Sequence, residues 1–220
     1  MMLRMLFEKR GDAVWISHLD LMRVFQRAFR RAGLMLKHSQ GFTPRAIVSI
    51  ALPLSVGVES GCELLDFELE GETPTVSELT RLVNEALPAG VRVLETYEAK
   101  RKIKELTTLK ARLYLEYDKG VPAEAAASIE TLLGGETLIM EKHSRKGDTE
   151  TDLLPLLKKW TMEQTDENTL MLELLVCAQN PSLNPQLIAG AVEKYLPHLA
   201  PDFAINQRLE IYDEEGKVFR

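Results

Sequence analysis

Cysteine is scarce in this sequence of 220 residues, which contains only Cys62 and Cys177. The two lie far apart in the chain, so they form neither a disulfide framework nor a metal-binding motif. Histidine is almost as rare, and no His/Cys pair has the short spacing typical of a zinc site. We therefore expect no metal and no cofactor, and this cysteine usage fits a reducing compartment.

Long apolar runs are also missing. The most apolar candidate strand, residues 170–177, is interrupted by Glu173 and is far shorter than the ~20 residues that span a bilayer. Residues 1–10 become charged too early, after too short an apolar stretch, for a signal peptide. We therefore expect a cytoplasmic protein with no membrane segment.

Positive charge is concentrated in one part of the sequence. Residues 1–50 hold nine Lys and Arg against three Asp and Glu, a net charge of +6. The other 170 residues hold eighteen against thirty, a net charge of -12. Because attraction to phosphate depends on local positive potential, nucleic-acid binding is possible on one face of the protein. The alternative is that these arginines only form the solvent-exposed face of a helix.

The strongest helix signal covers residues 17–33. Ser17 and Asp20 have the spacing of an N-terminal cap, in which the serine oxygen accepts from the backbone N–H three residues later. Apolar residues follow at steps of three and four, and Gly33 suits the end of the helix. Four arginines lie on another face of this helix: Arg23, Arg27, Arg30 and Arg31.

Apolar alternation and cap signals divide the chain into two halves that share the order βαββαβ. In the first half, strands are predicted at 3–8, 47–52, 62–69 and 91–97, and helices open at Ser17 and at Thr73-Pro74. In the second half, strands are predicted at 113–117, 137–141, 170–177 and 209–212, and helices open at Pro122 and Asn184.

This order is that of the ferredoxin-like fold. The predicted fold class is therefore α+β, with two tandem ferredoxin-like units at residues 1–99 and 107–220. Residues 144–165 form an insertion in the second unit, where Pro155 argues against a continuous helix.

Four short motifs carry a resemblance to a known family: WISHLDLMR at 15–23, RRAGL at 30–34, HSQGF at 38–42 and ALPLSVGVES at 51–60. Over roughly residues 1–70 the sequence resembles a bacterial family found beside, or fused to, radical SAM proteins. Where that family has Asn-Pro-His-Pro, this chain has Thr-Pro-Arg-Ala at 43–46, so the histidine of that motif is missing here. The resemblance implies an accessory partner of a radical SAM enzyme.

The radical SAM enzyme itself needs three closely spaced cysteine thiolates to hold a [4Fe–4S] cluster, and this chain lacks them. A second resemblance, in architecture only, is to CRISPR repeat-processing endoribonucleases. They also combine tandem ferredoxin-like units with a histidine near the first helix. Their C-terminal glycine-rich loop is missing here, because only Gly190 and Gly216 lie beyond residue 147.

The predicted function is non-catalytic: presentation of RNA, or of an RNA-bound substrate, to a radical SAM enzyme. Arginines would contact phosphates, Phe42 would stack on a base, and Gln40 would bind a base or a backbone amide. The candidate binding residues are His18, Asp20, Arg23, Arg27, Arg31, His38, Gln40, Phe42 and Arg45.

Two alternatives to this function stay open. The first is a metal-independent endoribonuclease that uses His18 or His38 as its acid or base, because an imidazole can both accept and donate a proton. The second is a protein-interaction module without RNA binding, whose basic face contacts an acidic surface.

Overall fold

The computed structural model describes residues 1–142 and 149–220, which fold into two compact units. The first unit contains Met1–Glu105 and Arg220, and the second contains Leu106–Phe219. Each unit combines α-helices with antiparallel strands, so the predicted α+β class is confirmed. The finer description, tandem ferredoxin-like units, stays a prediction.

The first unit, every residue of which is described, contains four strands and two α-helices in the order βαββαβ. The strands are β1 (Leu3–Lys9), β2 (Val48–Ile50), β3 (Glu59–Phe67) and β4 (Val91–Glu98). The helices are α1 (His18–Arg31) and α2 (Val76–Ala86), and a short 3-10 helix, Gly11–Trp15, precedes α1. The strands lie side by side as β4-β1-β3-β2, and each neighbouring pair is antiparallel.

Packing of α1 on the sheet fixes the direction of that helix. Near its start, the buried Lys9 donates from Nζ to the carbonyl oxygen of Ile16 at 2.8 Å, and Lys9 pairs with Ser60 at the start of β3. Near its end, the ring centroids of Phe29 and Phe67 lie 4.8 Å apart, and Phe67 is the last residue of β3. The two ends of α1 therefore lie at opposite ends of β3.

The predicted start and end of α1 are confirmed. The Oγ of Ser17 accepts from the backbone N–H of Asp20 at 3.2 Å, and Gly33 follows the helix with φ +73. The second helix starts two residues later than predicted, because Thr75 caps it and not Thr73. Thr75 Oγ1 accepts from the N–H of Glu78 at 3.3 Å, so Pro74 precedes the cap instead of occupying the first turn.

The described part of the second unit has two more strands than the predicted βαββαβ order. Its strands are β5 (Leu106–Glu116), β6 (Ile139–Lys142), β7 (Thr149–Asp152), β8 (Leu157–Asp166), β9 (Thr169–Cys177) and β10 (Phe203–Asp213). Its helices are α3 (Ala125–Leu133) and α4 (Gln186–Tyr195). The strands β10-β5-β9-β8 lie side by side, whereas β6 pairs with β7 in a separate two-stranded ribbon.

The strand predicted at 137–141 is present as β6, but it lies outside the main sheet, where β8 pairs with β9 instead. Of the predicted insertion at 144–165, residues 144–148 lie outside the described residues, and the rest contains β7, a 3-10 turn at Leu154–Leu156 and most of β8. Most side chains of β8 are exposed at the sheet edge, so its sequence lacks the apolar alternation that marks a strand. Across the described ranges, no helix is long and apolar enough to cross a membrane.

Candidate nucleic-acid interface

The N-terminal turn of α1 holds a neutralised pair of charges. Arg23 Nη1 donates to Asp20 Oδ1 at 2.7 Å, and Ser17 Oγ donates to Asp20 Oδ2 at 2.8 Å. These hydrogen bonds, first from Ser17 and then from Arg23, hold the pKa of the Asp20 carboxyl below its ordinary value. Because Arg23 is already paired, it contributes little free positive charge to a ligand.

The free positive charge of α1 lies nearer its C-terminus. Arg27 and Arg30 are both exposed, and within the described ranges neither side chain makes a hydrogen bond or an ion pair. Arg31, by contrast, donates from Nη2 to the carbonyl oxygen of Ala86, the last residue of α2. The last carbonyls of a helix lack partners within it, and a basic side chain satisfies them. Arg31 is therefore a capping residue that ties α1 to α2.

Residues 38–46 form a protruding loop with a closed stem. His38 and Ala46 form an antiparallel bridge, and the N–H of Ser39 donates to the carbonyl oxygen of Arg45 at 2.8 Å. The N–H of Arg45 donates in turn to Ser39 Oγ at 3.1 Å. At the tip, Gly41 has φ +136, a backbone conformation that favours glycine. The loop is therefore a hairpin whose tip spans residues 40–44.

Phe42 lies at this tip and is fully exposed. The side chains of His38, Gln40 and Arg45 are also exposed, and no hydrogen bond to them is present among the described residues. An exposed aromatic ring and, on the same loop, a cation without an acidic partner offer one surface for stacking and another for an anion.

A cleft of about 510 Å³ lies between this loop and the turn that follows β3. Residues 37–41 and 44 line one side, and Leu69–Gly71 line the other. At its edge Lys37 Nζ donates to Glu68 Oε2 at 2.8 Å, which lowers the pKa of Glu68 and raises that of Lys37. The second acid of this turn, Glu70, is exposed and makes no such pair within the described chain.

The predicted site residues extend along the first unit, from the start of α1 to the loop at 38–46. His18, Asp20 and Arg23 lie at the start of α1, beside the start of β3. The loop lies beside the other end of β3, where the N–H of Lys37 donates to the carbonyl oxygen of Glu68 at 2.9 Å. Arg27 and Arg31 follow Arg23 at one-turn steps of ~5.4 Å along α1, and the charge of Arg27 also helps to lower the pKa of Asp20, whereas Arg31 lies near the loop end. Since β3 has nine residues, the two ends are separated by about 25–30 Å.

The two candidate histidines are thus at opposite ends of the unit. His38 is exposed on the loop, whereas His18 is half-buried in the first turn of α1. The Nδ1 atom of His18 is buried and has no hydrogen-bond partner in the described structure. His18 and His38 cannot act together on one substrate group.

Two residues of the loop end were not among the predicted site residues. Arg30 belongs to the arginine series of α1, and the sequence pattern could have included it. Glu70 gave no sequence signal, because it reaches the loop only through the pairing of Leu36 with Leu69. In the described ranges, no group of three His, Cys, Asp or Glu residues is arranged to hold a metal ion.

These observations define an α+β protein whose first unit exposes a loop with an aromatic tip and unpaired arginines. The chain belongs to the family described as "Uncharacterized protein conserved in bacteria (DUF2344)", whose family model matches residues 2–185. Among solved structures, the chain is similar to an unknown protein from Galdieria sulphuraria, with 11% identity and a TM-score of 0.27 over 94% of this chain and 96% of that one. A comparison with curated proteins gives no match.

Proposed function

We propose that this chain is a non-catalytic accessory protein that binds single-stranded RNA, or an RNA-bound substrate, and presents it to a radical SAM enzyme. The observation that carries the RNA part is Phe42, a fully exposed aromatic ring at the tip of a hydrogen-bonded loop. Every nucleobase has a flat face, so such a ring stacks on any base, with a contribution of about 1–3 kcal/mol per base.

Phosphate contacts are assigned to three exposed arginines: Arg27, Arg30 and Arg45. None of them makes an ion pair among the described residues, and all lie toward the loop end of the first unit. An arginine that is already paired must exchange a carboxylate for a phosphate, whereas an unpaired one only displaces water and small ions. Unpaired arginines therefore gain more from the release of counterions by the RNA.

The endoribonuclease alternative has less support from the geometry. Metal-independent cleavage of RNA needs a base at the ribose hydroxyl and an acid at the leaving oxygen, both within hydrogen-bond reach. The two candidate histidines lie at opposite ends of β3, so either would need a different partner. The loop around His38 contributes Lys37, but its ammonium is engaged by Glu68.

The radical SAM enzyme is proposed as partner because of the motifs at 15–23, 30–34, 38–42 and 51–60. A contact site for it is proposed at the far end of the unit, where Trp15 is 70% exposed and Leu19 is 68% exposed. The Trp15 ring lies near Gly57, where an added Cβ would be 3.6 Å from its Cζ3, and the N–H of Gly57 donates to the carbonyl oxygen of Val14 at 2.9 Å. Exposed tryptophans on a fixed support are frequent anchors of protein interfaces.

The RNA proposal is tested by fluorescence anisotropy with a labelled decamer of RNA at two salt concentrations. We expect Phe42→Ala to weaken binding by about tenfold, the loss of one stacked base. Glutamine at Arg27, Arg30 and Arg45 should lower the slope of log affinity against log salt by ~0.7 for each contact.

Arg81→Gln is the matched control, because Arg81 is an exposed arginine of the same unit that is paired with Glu85 at 2.6 Å. It removes one positive charge, as each of the three substitutions does, and should leave the slope unchanged. If the parent chain ignores RNA even at ~50 mM salt, where phosphate contacts are strongest, the RNA proposal is wrong.

The partner proposal is tested separately, by copurification of the chain with a co-expressed bacterial radical SAM protein. Trp15→Ala should abolish copurification and leave RNA affinity intact. If the parent ignores RNA, and glutamine at the three arginines abolishes copurification, the chain is instead a protein-interaction module with an acidic partner.

A further inference from the structure

We infer that the cleft beside the loop reads one RNA base, and that Glu70 makes it select bases with an exocyclic amino group. This inference rests on the proposed RNA binding and adds a specificity to it. Cytosine, adenine and guanine carry such an amino group, whereas uracil presents a carbonyl oxygen at the same edge.

The position of Glu70 is fixed by backbone pairing. Its N–H donates to the carbonyl oxygen of Met35 at 2.8 Å, and its neighbour Leu69 forms a bridge with Leu36. These bonds hold the turn against the base of the loop, where Glu70 and Gln40 line the same cleft. Two side chains that can hydrogen-bond to the edge of a base therefore line one concave surface, and the volume of this cleft suits a small ligand.

The cleft presents the carboxylate of Glu70 and, at its edge, the ammonium of Lys37. Lys37 donates its hydrogen bond to Glu68 and interacts with Glu70 through charge alone, so the carboxylate oxygens of Glu70 keep their hydrogen-bonding capacity for a ligand. A carboxylate only accepts hydrogen bonds, so it binds an amino group and repels a carbonyl oxygen or a phosphate. The Gln40 amide both donates and accepts, and can satisfy the remaining atoms of the base edge.

The order of residues in the loop supports two neighbouring bases. Gly41 lines the cleft and Phe42 follows it directly at the tip. A base stacked on Phe42 would therefore place the next nucleotide beside the cleft. The exposed Arg45 lies across from Ser39, on the other strand of the loop's stem.

The test compares the affinities of labelled oligo(C) and oligo(U) decamers, measured at the same low salt. We expect the parent to bind oligo(C) about tenfold more tightly, within the range for one base contact by a carboxylate. Glu70→Gln should remove this preference, because an amide can rotate to suit either base. Glu70→Asp keeps the carboxylate and should retain it.

Glu72→Gln is the matched control. Glu72 is an exposed acid two residues further on that does not line the cleft, so this change removes the same charge and should keep the preference. Equal affinities of the parent for the two decamers, or an unchanged ratio in Glu70→Gln, overturn the base-reading inference and leave RNA binding intact. Absence of binding to both decamers overturns the proposed function as well.

Discussion

Arg4 and Asp66 form a bidentate ion pair across the neighbouring strands β1 and β3. Arg4 Nε and Nη2 donate to the two carboxylate oxygens of Asp66 at 2.6 and 2.9 Å, and the Arg4 side chain is 1% exposed. Nη2 also donates to the carbonyl oxygen of Arg101 at 3.0 Å, so the pair ties the connector after β4 to the sheet.

Asp66→Asn should therefore lower the free energy of unfolding by about 3 kcal/mol, because it removes the carboxylate from a buried bidentate ion pair. Urea denaturation measures this change. The double variant Arg4→Met with Asp66→Leu should recover most of the loss, since neither side chain then needs a charged partner. A loss below ~0.5 kcal/mol in Asp66→Asn would contradict a structural role for the pair.

Ser17→Ala should lower the free energy of unfolding by ~0.5–2 kcal/mol, the usual effect of a lost N-cap oxygen. The serine oxygen accepts from the N–H of Asp20 in the first turn of α1. Thermal unfolding measures the change, and Ser17→Thr should retain most of the stability because threonine also caps. An unchanged midpoint in Ser17→Ala would mean that another group caps α1.

The contribution of Ser17 should also depend on pH. The pKa of Asp20 is lowered in the folded state, chiefly by the hydrogen bond from Ser17. Such a bond stabilises the folded state at pH values above the ordinary pKa of an aspartate. This stabilisation is lost as the pH falls through the lowered pKa of the folded state. The stability difference between parent and Ser17→Ala should therefore shrink in acid, without vanishing, because the backbone contact remains. A difference that grows in acid would contradict this assignment.

Tyr97→Phe should preserve or raise stability at neutral pH, because the Tyr97 hydroxyl is buried and lacks a hydrogen-bond partner within the described residues. Burial raises the pKa of this hydroxyl to about 12. An acid whose pKa is raised by folding costs stability as the pH rises above its unfolded value of about 10. The parent should therefore lose stability between pH ~10 and ~12 more steeply than Tyr97→Phe, as chemical denaturation across that range would show.

Arg31→Gln should lower stability by roughly 1 kcal/mol, because Arg31 supplies the last carbonyl of α2 with a charged donor. The salt dependence of RNA binding should change less than in Arg30→Gln, since the hydrogen bond to Ala86 holds the guanidinium of Arg31 at the end of α2 although it keeps its charge. Arg31→Lys should restore part of the stability. A salt slope reduced as much as in Arg30→Gln would instead make Arg31 a phosphate contact.

Short sequence patterns predicted the helices and strands that are determined by interactions between residues close together in the chain. The cap at Ser17, the apolar steps from Leu21 to Ala28 and the glycine at 33 act within one helix, so the sequence alone determined α1. The alternation of Leu3, Met5 and Phe7 determined β1 in the same way, because these three side chains face one core. The charge asymmetry of residues 1–50 was likewise visible without a structure.

Tertiary structure decided which arginines are free and which residues meet. Spacing along α1 cannot distinguish Arg31, bound to Ala86, from Arg30, which has no such partner among the described residues, because the partner lies 55 residues away. Glu70 reaches the loop only through backbone pairing between residues 35–37 and 68–70, and β8 joins the sheet although its edge position leaves it polar. Hydrogen bonds between distant segments carry no periodicity in sequence, so no local pattern could place these residues.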